Sequence, residues 1–150
     1  MAKRNPRTRL VQSPGKTKSP AGLIDLGRLD HECFPDDEPV NPSHVKAGWW
    51  WVHYSAAGNA IAFCGLHTDR HSRAHLSRAG VSVLARGQGL QRKMIRLRMK
   101  KAASLKVERV LTYTDAKNAP SSNNLAACGF RIWIPGSGFD PAFIRWYKDV

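Results

Sequence analysis

Along this chain the apolar positions change their spacing, and the changes mark out its elements. Residues 1–22 are rich in Pro, Lys, Arg, Ser and Thr and poor in apolar side chains, so they read as a mobile arm. Leu23, Leu26, Leu29 and Phe34 then recur at roughly helical spacing and predict a short amphipathic helix. Pro35 ends it, and Pro39 and Pro42 make the next segment irregular. The run WWWVHY reads as a strand over residues 48–54, Gly58-Asn59 as a turn, and residues 60–66 as the hairpin partner. A polar loop follows, then a strand over 75–84 with Val81 and Val83 in alternation. A glycine turn at 86–89 leads into a long helix with Leu90, Met94, Leu97 and Leu105 as its stripe and Ile95 beside it. Residues 107–114 are a β-branched strand, and 118–128 a short helix ended by Gly129. Residues 130–134 and 143–148 are the last two predicted strands.

This order predicts an α/β (α+β) domain built around one mixed sheet, with the arm outside it. A chain of 150 residues is one ordinary domain and buries a core without staples. No apolar run approaches the roughly 18 residues of a membrane span, and no secretory pattern follows the basic N-terminus. The three cysteines, Cys33, Cys64 and Cys128, are widely spaced and read as reduced thiols of a cytoplasmic protein. Trp49, Trp50 and Trp51 cannot all face one side of a strand, so at least one belongs to the core.

Charge adds a second layer. The net charge is +13, and it is blocked. Residues 1–18 carry Lys3, Arg4, Arg7, Arg9, Lys16 and Lys18 without an acid. Residues 86–106 carry eight cations, again without an acid. Six of the eleven acids, Asp25, Asp30, Glu32, Asp36, Asp37 and Glu38, lie together between the two. Basic blocks of this kind suit a phosphate-bearing partner, nucleic acid among them.

Chemistry enters at Arg86-Gly87-Gln88-Gly89. Glycines between a strand and a helix permit positive φ and close backbone approach. The helix start behind them offers free N–H groups and its positive dipole end to an anion. A plain tight turn is the other reading. A Walker A ending of Gly-Lys-Ser/Thr is missing. A dinucleotide fingerprint needs a third glycine where Arg92 stands, and Glu108 falls at the start of the next strand instead of its end.

The loop Arg86-Gly87-Gln88-Gly89-Leu90-Gln91 resembles the pyrophosphate loop Arg/Gln-x-x-Gly-x-Gly/Ala of the GCN5-related N-acetyltransferases (GNAT). Gln91 stands where the family has a small residue. A second family element, an Asn with a small residue three later and Gly-Phe eleven and twelve later, is matched by Asn118, Ser121, Gly129 and Phe130. The resemblance covers roughly residues 23–150. It implies a GNAT-like, mostly antiparallel mixed sheet with flanking helices and a splayed strand pair. It also implies acetyl-coenzyme A as cofactor and an amine as acceptor.

By the same resemblance, the backbone of Ala79 and Val81 pairs with the pantetheine arm, with Gly80 between them compatible with a bulge. The N–H groups of residues 87–91 take the pyrophosphate, with Arg86, Arg92 or Lys93 adding charge. Asn118 and Ser121 fall near the pantetheine, and Asn118 also suits a helix N-cap. The family's base position, six residues before Val81, is His75, and imidazole titrates near neutrality. Asp115 is a second base candidate, or a turn residue. The family's usual thiolate acid, a Tyr, is Leu125 here, which leaves Tyr113, Ser121 or water. The acidic residues 36–38 lie where the family builds its acceptor side.

His67, His71 and His75 are spaced by four, but their segment does not read as a helix, and no metal is expected. Three acceptor readings stay open. One is an amine on or near nucleic acid, held through residues 1–18 and the basic helix. The second is a small amine, a protein lysine or an N-terminus. The third is a non-catalytic nucleic-acid-binding module. The family commonly dimerises, so a homodimer is compatible with the resemblance.

Overall fold

The computed structural model describes residues 4–134, 136, 138 and 140–150. Lys3, counted in the basic arm, lies outside the described residues. The elements run β1 (Arg7–Ser13), β2 (Lys16–Thr17), α1 (Pro20–Cys33), α2 (Pro42–Ala47), β3 (Trp49–Tyr54), β4 (Ala60–Thr68) and β5 (Arg73–Val81). A 3₁₀ turn at Val83–Ala85 precedes α3 (Leu90–Ser104), β6 (Arg109–Asp115), α4 (Ala119–Ala127), β7 (Arg131–Ile132) and β8 (Phe143–Asp149). The strands form an eight-stranded sheet in the order β2-β1-β3-β4-β5-β6-β8-β7. β5 pairs with β6 in parallel. The pairs β1–β2, β1–β3, β3–β4, β6–β8 and β7–β8 are antiparallel.

The chain forms two compact units. The first comprises residues 1–67 and 77–90. In it α1 begins where the Ser19 hydroxyl accepts the Gly22 N–H at 3.0 Å, with Pro20 fitting the first turn. Its Leu26 and Leu29 pack with Val11, Trp50, Val52 and Phe63 into a buried core. Two glycines permit this packing. A Cβ on Gly22 would stand 2.3 Å from Val11 Cγ1, and one on Gly65 would stand 2.6 Å from the Trp50 ring. Trp50 and Trp51 are buried and Trp49 is half-buried, as three neighbours on one strand require.

The N-terminal segment differs from the sequence expectation. Residues 7–13, read as part of an arm, form β1, which pairs with β3 from Arg7↔Tyr54 to Gln12↔Trp50. Val11 and Gln12 are buried there, while Arg7 and Arg9 are exposed. A strand with only one face against the core needs few apolar residues, and cations on its outer face hide it in the composition.

The second unit comprises residues 68–76 and 91–150. In it β6 and β8 pair along their whole lengths, from Arg109↔Asp149 to Asp115↔Phe143. The Trp146 indole donates to Thr114 Oγ1 at 3.0 Å, and Thr114 Oγ1 meets Ser122 Oγ of α4 at 3.1 Å. Leu125, Phe130, Met94, Ile95 and Ala102 are buried. α4 stops at Cys128, and Gly129 follows with φ +89, the left-handed residue that closes many helices.

Candidate active site

The expected pyrophosphate loop lies where strand gives way to helix. Val81 ends β5, and Ser82 N–H donates to the Ile61 carbonyl at 2.8 Å. The 3₁₀ turn then delivers Arg86, whose Nε–H donates to the Val81 carbonyl at 3.2 Å. Gly87 and Gly89 adopt φ +79 and +75. A Cβ on either would meet nothing within 4 Å, so these glycines serve backbone shape and not packing. Residues 86–89 are all exposed, and α3 begins at Leu90. Exposed left-handed glycines leading into a helix N-terminus fit a pyrophosphate by the chemistry of their donors.

Ala79 and Val81 are half-buried on β5. Gly80 between them has a packing reason. Its Cβ would come within 2.8 Å of Phe63 Cε1 and 2.9 Å of Cys33 Sγ, so a side chain has no room there. Cys33 is a free thiol held above its ordinary pKa, first by burial and then by Glu32.

In the second unit Gln91 and Arg92 join α3 to α4 through a run of side-chain bonds. Gln91 Nε2 donates to Ser121 Oγ at 2.8 Å, and Gln91 Oε1 accepts from Asn124 Nδ2 at 2.8 Å. Arg92 Nε donates to Asn124 Oδ1 at 2.8 Å. Asn118 caps α4, its Oδ1 accepting the Ser121 N–H at 3.2 Å. The residue that departs from the family loop, Gln91, is therefore a structural tie, and Asn118 is the N-cap its sequence position suggested.

His75 has a partner that sequence reasoning missed. Its Nε2 lies 2.8 Å from Asp69 Oδ2. Asp69 also accepts the His71 N–H at 2.8 Å, the Arg73 N–H at 3.3 Å and Arg73 Nε at 3.0 Å. Burial pushes the Asp69 carboxyl up, but the bonds from His75, His71 and Arg73 outweigh it and hold the carboxyl well below the usual carboxylate range. The signal was present: an Asp opening the turn between two strands accepts N–H groups a few residues on. An ionised carboxylate can only accept, so the bond between His75 Nε2 and Asp69 is donated by the ring nitrogen.

The other candidates divide. Asp115 ends β6 exposed and accepts the Lys117 N–H at 2.8 Å, the turn role. Tyr113 is exposed, with its ring edge-on to Phe143 at 5.5 Å. Leu125, where the family has its Tyr, is 4% exposed and belongs to the core. Among the acids, Asp25 accepts from Tyr54, Asp30 from Arg78 and the Val40 N–H, and Glu32 from Ser82, while residues 36–38 are exposed.

His67 lies in the first unit with a different partner from His75. Ser77 Oγ stands 2.9 Å from His67 Nδ1 and 3.3 Å from His44 Nε2. Among the described residues no group of three or more His, Cys, Asp or Glu side chains forms a metal-binding set.

The sequence model of the acetyltransferase (GNAT) family matches residues 23–130. This chain belongs to that family. Solved structures share its fold. The IAA acetyltransferase from Bacillus cereus is 17% identical with a TM-score of 0.75, over 97% of this chain and 100% of that one. The Bacillus subtilis acetyltransferase in complex with CoA is 15% identical with a TM-score of 0.74, over 97% and 99%. The ribosomal-protein-S18-alanine N-acetyltransferase from Escherichia coli is 14% identical with a TM-score of 0.70, over 95% and 94%. No curated protein matches the chain. Among the described residues no helix is long and apolar enough to cross a membrane.

Proposed function

We propose that this GNAT protein transfers an acetyl group from acetyl-coenzyme A to a primary amine. The observation that carries the reading is the exposed loop of Gly87 and Gly89, both at positive φ, opening directly into α3. Its backbone N–H groups, with Leu90 and Gln91 behind them, are the pyrophosphate donors, and Arg86 and Arg92 supply positive charge. Gln88 contributes its N–H to the same cradle. The backbone of Ala79 and Val81 is the pantetheine edge. The relative solved with CoA supports this choice of cofactor.

Acetyl-coenzyme A supplies an activated thioester carbonyl. The chain supplies proton management. An amine of pKa near 10 is mostly protonated at pH 7, so a base is needed. His75 takes the ammonium proton, and Asp69 at 2.8 Å from Nε2 stabilises the resulting imidazolium and fixes its orientation. Asp115 is the second base candidate. Tyr113, with its exposed phenol, is the proton donor to the departing thiolate. The preferred acceptor is an amine on or near nucleic acid, supported by the net charge of +13. A small amine or protein N-terminus is the alternative, as in the Escherichia coli relative that acts on a ribosomal-protein alanine.

Calorimetry with acetyl-coenzyme A is expected to show binding that Gly89→Trp abolishes. Absence of binding by the unaltered protein sinks the proposal. Incubation with isotope-labelled acetyl-coenzyme A and separate pools of RNA, proteins and polyamines, read by mass spectrometry, identifies the acceptor. His75→Ala is expected to lower turnover while leaving cofactor affinity intact. Unchanged turnover removes His75 as the base.

A further inference from the structure

The register of β6 and β8 places Tyr113 opposite Arg145 and Asp115 opposite Phe143, so these four side chains share one sheet face. Tyr113 is 69% exposed, Phe143 41% and Trp133 39%. The rings are not scattered. Tyr113 meets Phe143 edge-on at 5.5 Å, and the Arg145 guanidinium lies 5.8 Å from the centre of the Trp133 ring. The Trp133 backbone N–H donates to the Arg145 carbonyl at 2.9 Å, so the main chain at this residue is tied to β8. The unit bearing this face holds fourteen Lys and Arg against five acids.

We infer that this face binds single-stranded nucleic acid, with Phe143, Trp133 and Tyr113 as base-stacking platforms and Arg145 as a phosphate or stacking contact. Exposed aromatic rings on a sheet take unstacked bases, because every base has a π-face. Charge selects this occupant over an apolar protein partner. A unit so rich in cations repels a second copy of itself and attracts a polyanion. A duplex, whose bases are already stacked, offers nothing to the rings. Neither the Gly87–Gly89 loop nor His75 enters this inference, and Tyr113 is the one residue it shares with the proposed acetyl transfer.

The test is fluorescence anisotropy of the full-length protein with labelled oligo(U) and oligo(dT) twelve-mers, against a labelled duplex of equal length, at two salt concentrations. The single strands are expected to bind at least tenfold more tightly than the duplex. Phe143→Ala with Trp133→Ala is expected to weaken single-strand binding at least tenfold and leave weak duplex binding unchanged. Arg145→Ala is expected to flatten the salt dependence. Oligo(U) favoured over oligo(dT) would point to RNA, and equal binding to single strands of either sugar; both uphold the inference. Equal affinity for duplex and single strand, or no loss in the double variant, overturns it and leaves charge attraction alone. A concentration-dependent dimer in sedimentation that the double variant abolishes also overturns it. Acetyl-coenzyme A affinity in the double variant, measured alongside, reports whether the fold is intact.

Discussion

Replacing Gly89 separates backbone shape from packing. Its φ is +75, and a Cβ placed there meets nothing within 4 Å. A β-branched side chain in that conformation costs about 1–2 kcal/mol through contact with its own backbone. A side chain there gains no packing contact to offset that cost, so Gly89→Val is expected to relax to negative φ and turn its flanking peptides away from the ligand. Hydrogen bonds to a charged group are worth about 1.5–3 kcal/mol each. Losing one or two weakens acetyl-coenzyme A binding by about 10- to 10,000-fold, at about 1.4 kcal/mol per tenfold. Gly89→Asn is the control, because Asn adopts the left-handed region far more readily than Val. Calorimetry on the three proteins is expected to rank affinity as Gly, then Asn, then Val, while thermal melting moves by only a few degrees. If Val binds within twofold of the unaltered protein, the loop does not hold the pyrophosphate. If Asn and Val fail equally, the requirement is for space, and the conformational argument is wrong.

Three more perturbations test the parts around it. Asp69 has a lowered folded pKa, so its contribution to stability is present above its unfolded value near 4 and is lost as pH falls through the folded value; Asp69→Asn is expected to flatten the acid limb of urea midpoints measured against pH, and an unchanged limb refutes the hydrogen-bond account. Tyr54 is pushed up to about 12, first by burial and then by its 2.7 Å bond to Asp25, so its contribution is present below about pH 10 and disappears as pH rises to about 12. Two pKa units correspond to about 3 kcal/mol, and Tyr54→Phe is expected to remove that alkaline loss from denaturation curves; a persistent loss assigns it elsewhere. Gln91→Ala breaks both bonds to α4, at about 0.5–1.5 kcal/mol each, and is expected to lower the melting temperature and weaken cofactor binding severalfold. Gln91→Gly restoring full affinity would show that the family's small residue does the work and the tie does not.

The elements legible in the sequence were those with a dense, regular signal. β3, β4, α3 and α4 lie within a few residues of their predicted bounds, because apolar spacing and flanking glycines agree there. Gly129 was readable as a helix end because positive φ narrows the choice of residue. β1 was not legible, since its pairing is with β3 in backbone hydrogen bonds that carry no side-chain code and its exposed positions are cations. α2, only six residues long, starts at Pro42 behind the Asn41 cap, where the sequence showed only a proline-broken stretch. His75 is a base candidate through its offset from the loop, while Asp69 beside it was not read from the sequence. Its role depends on a turn that brings residues six apart to 2.8 Å.

The two departures from the family pattern have different physical meanings. Gln91 sits at a helix start where its side chain reaches across to Ser121 and Asn124, so the loop end keeps a fixed direction by side-chain bonds. Leu125 is buried, so a phenol there would have to displace core atoms. Position 125 therefore offers no phenol to the thiolate, and the proposed donor comes from the sheet. Tyr113 is the exposed phenol on β6, and it also belongs to the aromatic face with Phe143. A residue shared in this way couples the two proposals. If Tyr113 donates a proton to the thiolate, Tyr113→Phe lowers turnover while preserving ring stacking. Tyr113→Ala lowers both turnover and single-strand affinity. Equal turnover in Tyr113→Phe and the unaltered protein assigns the ring to binding alone and passes the proton to water.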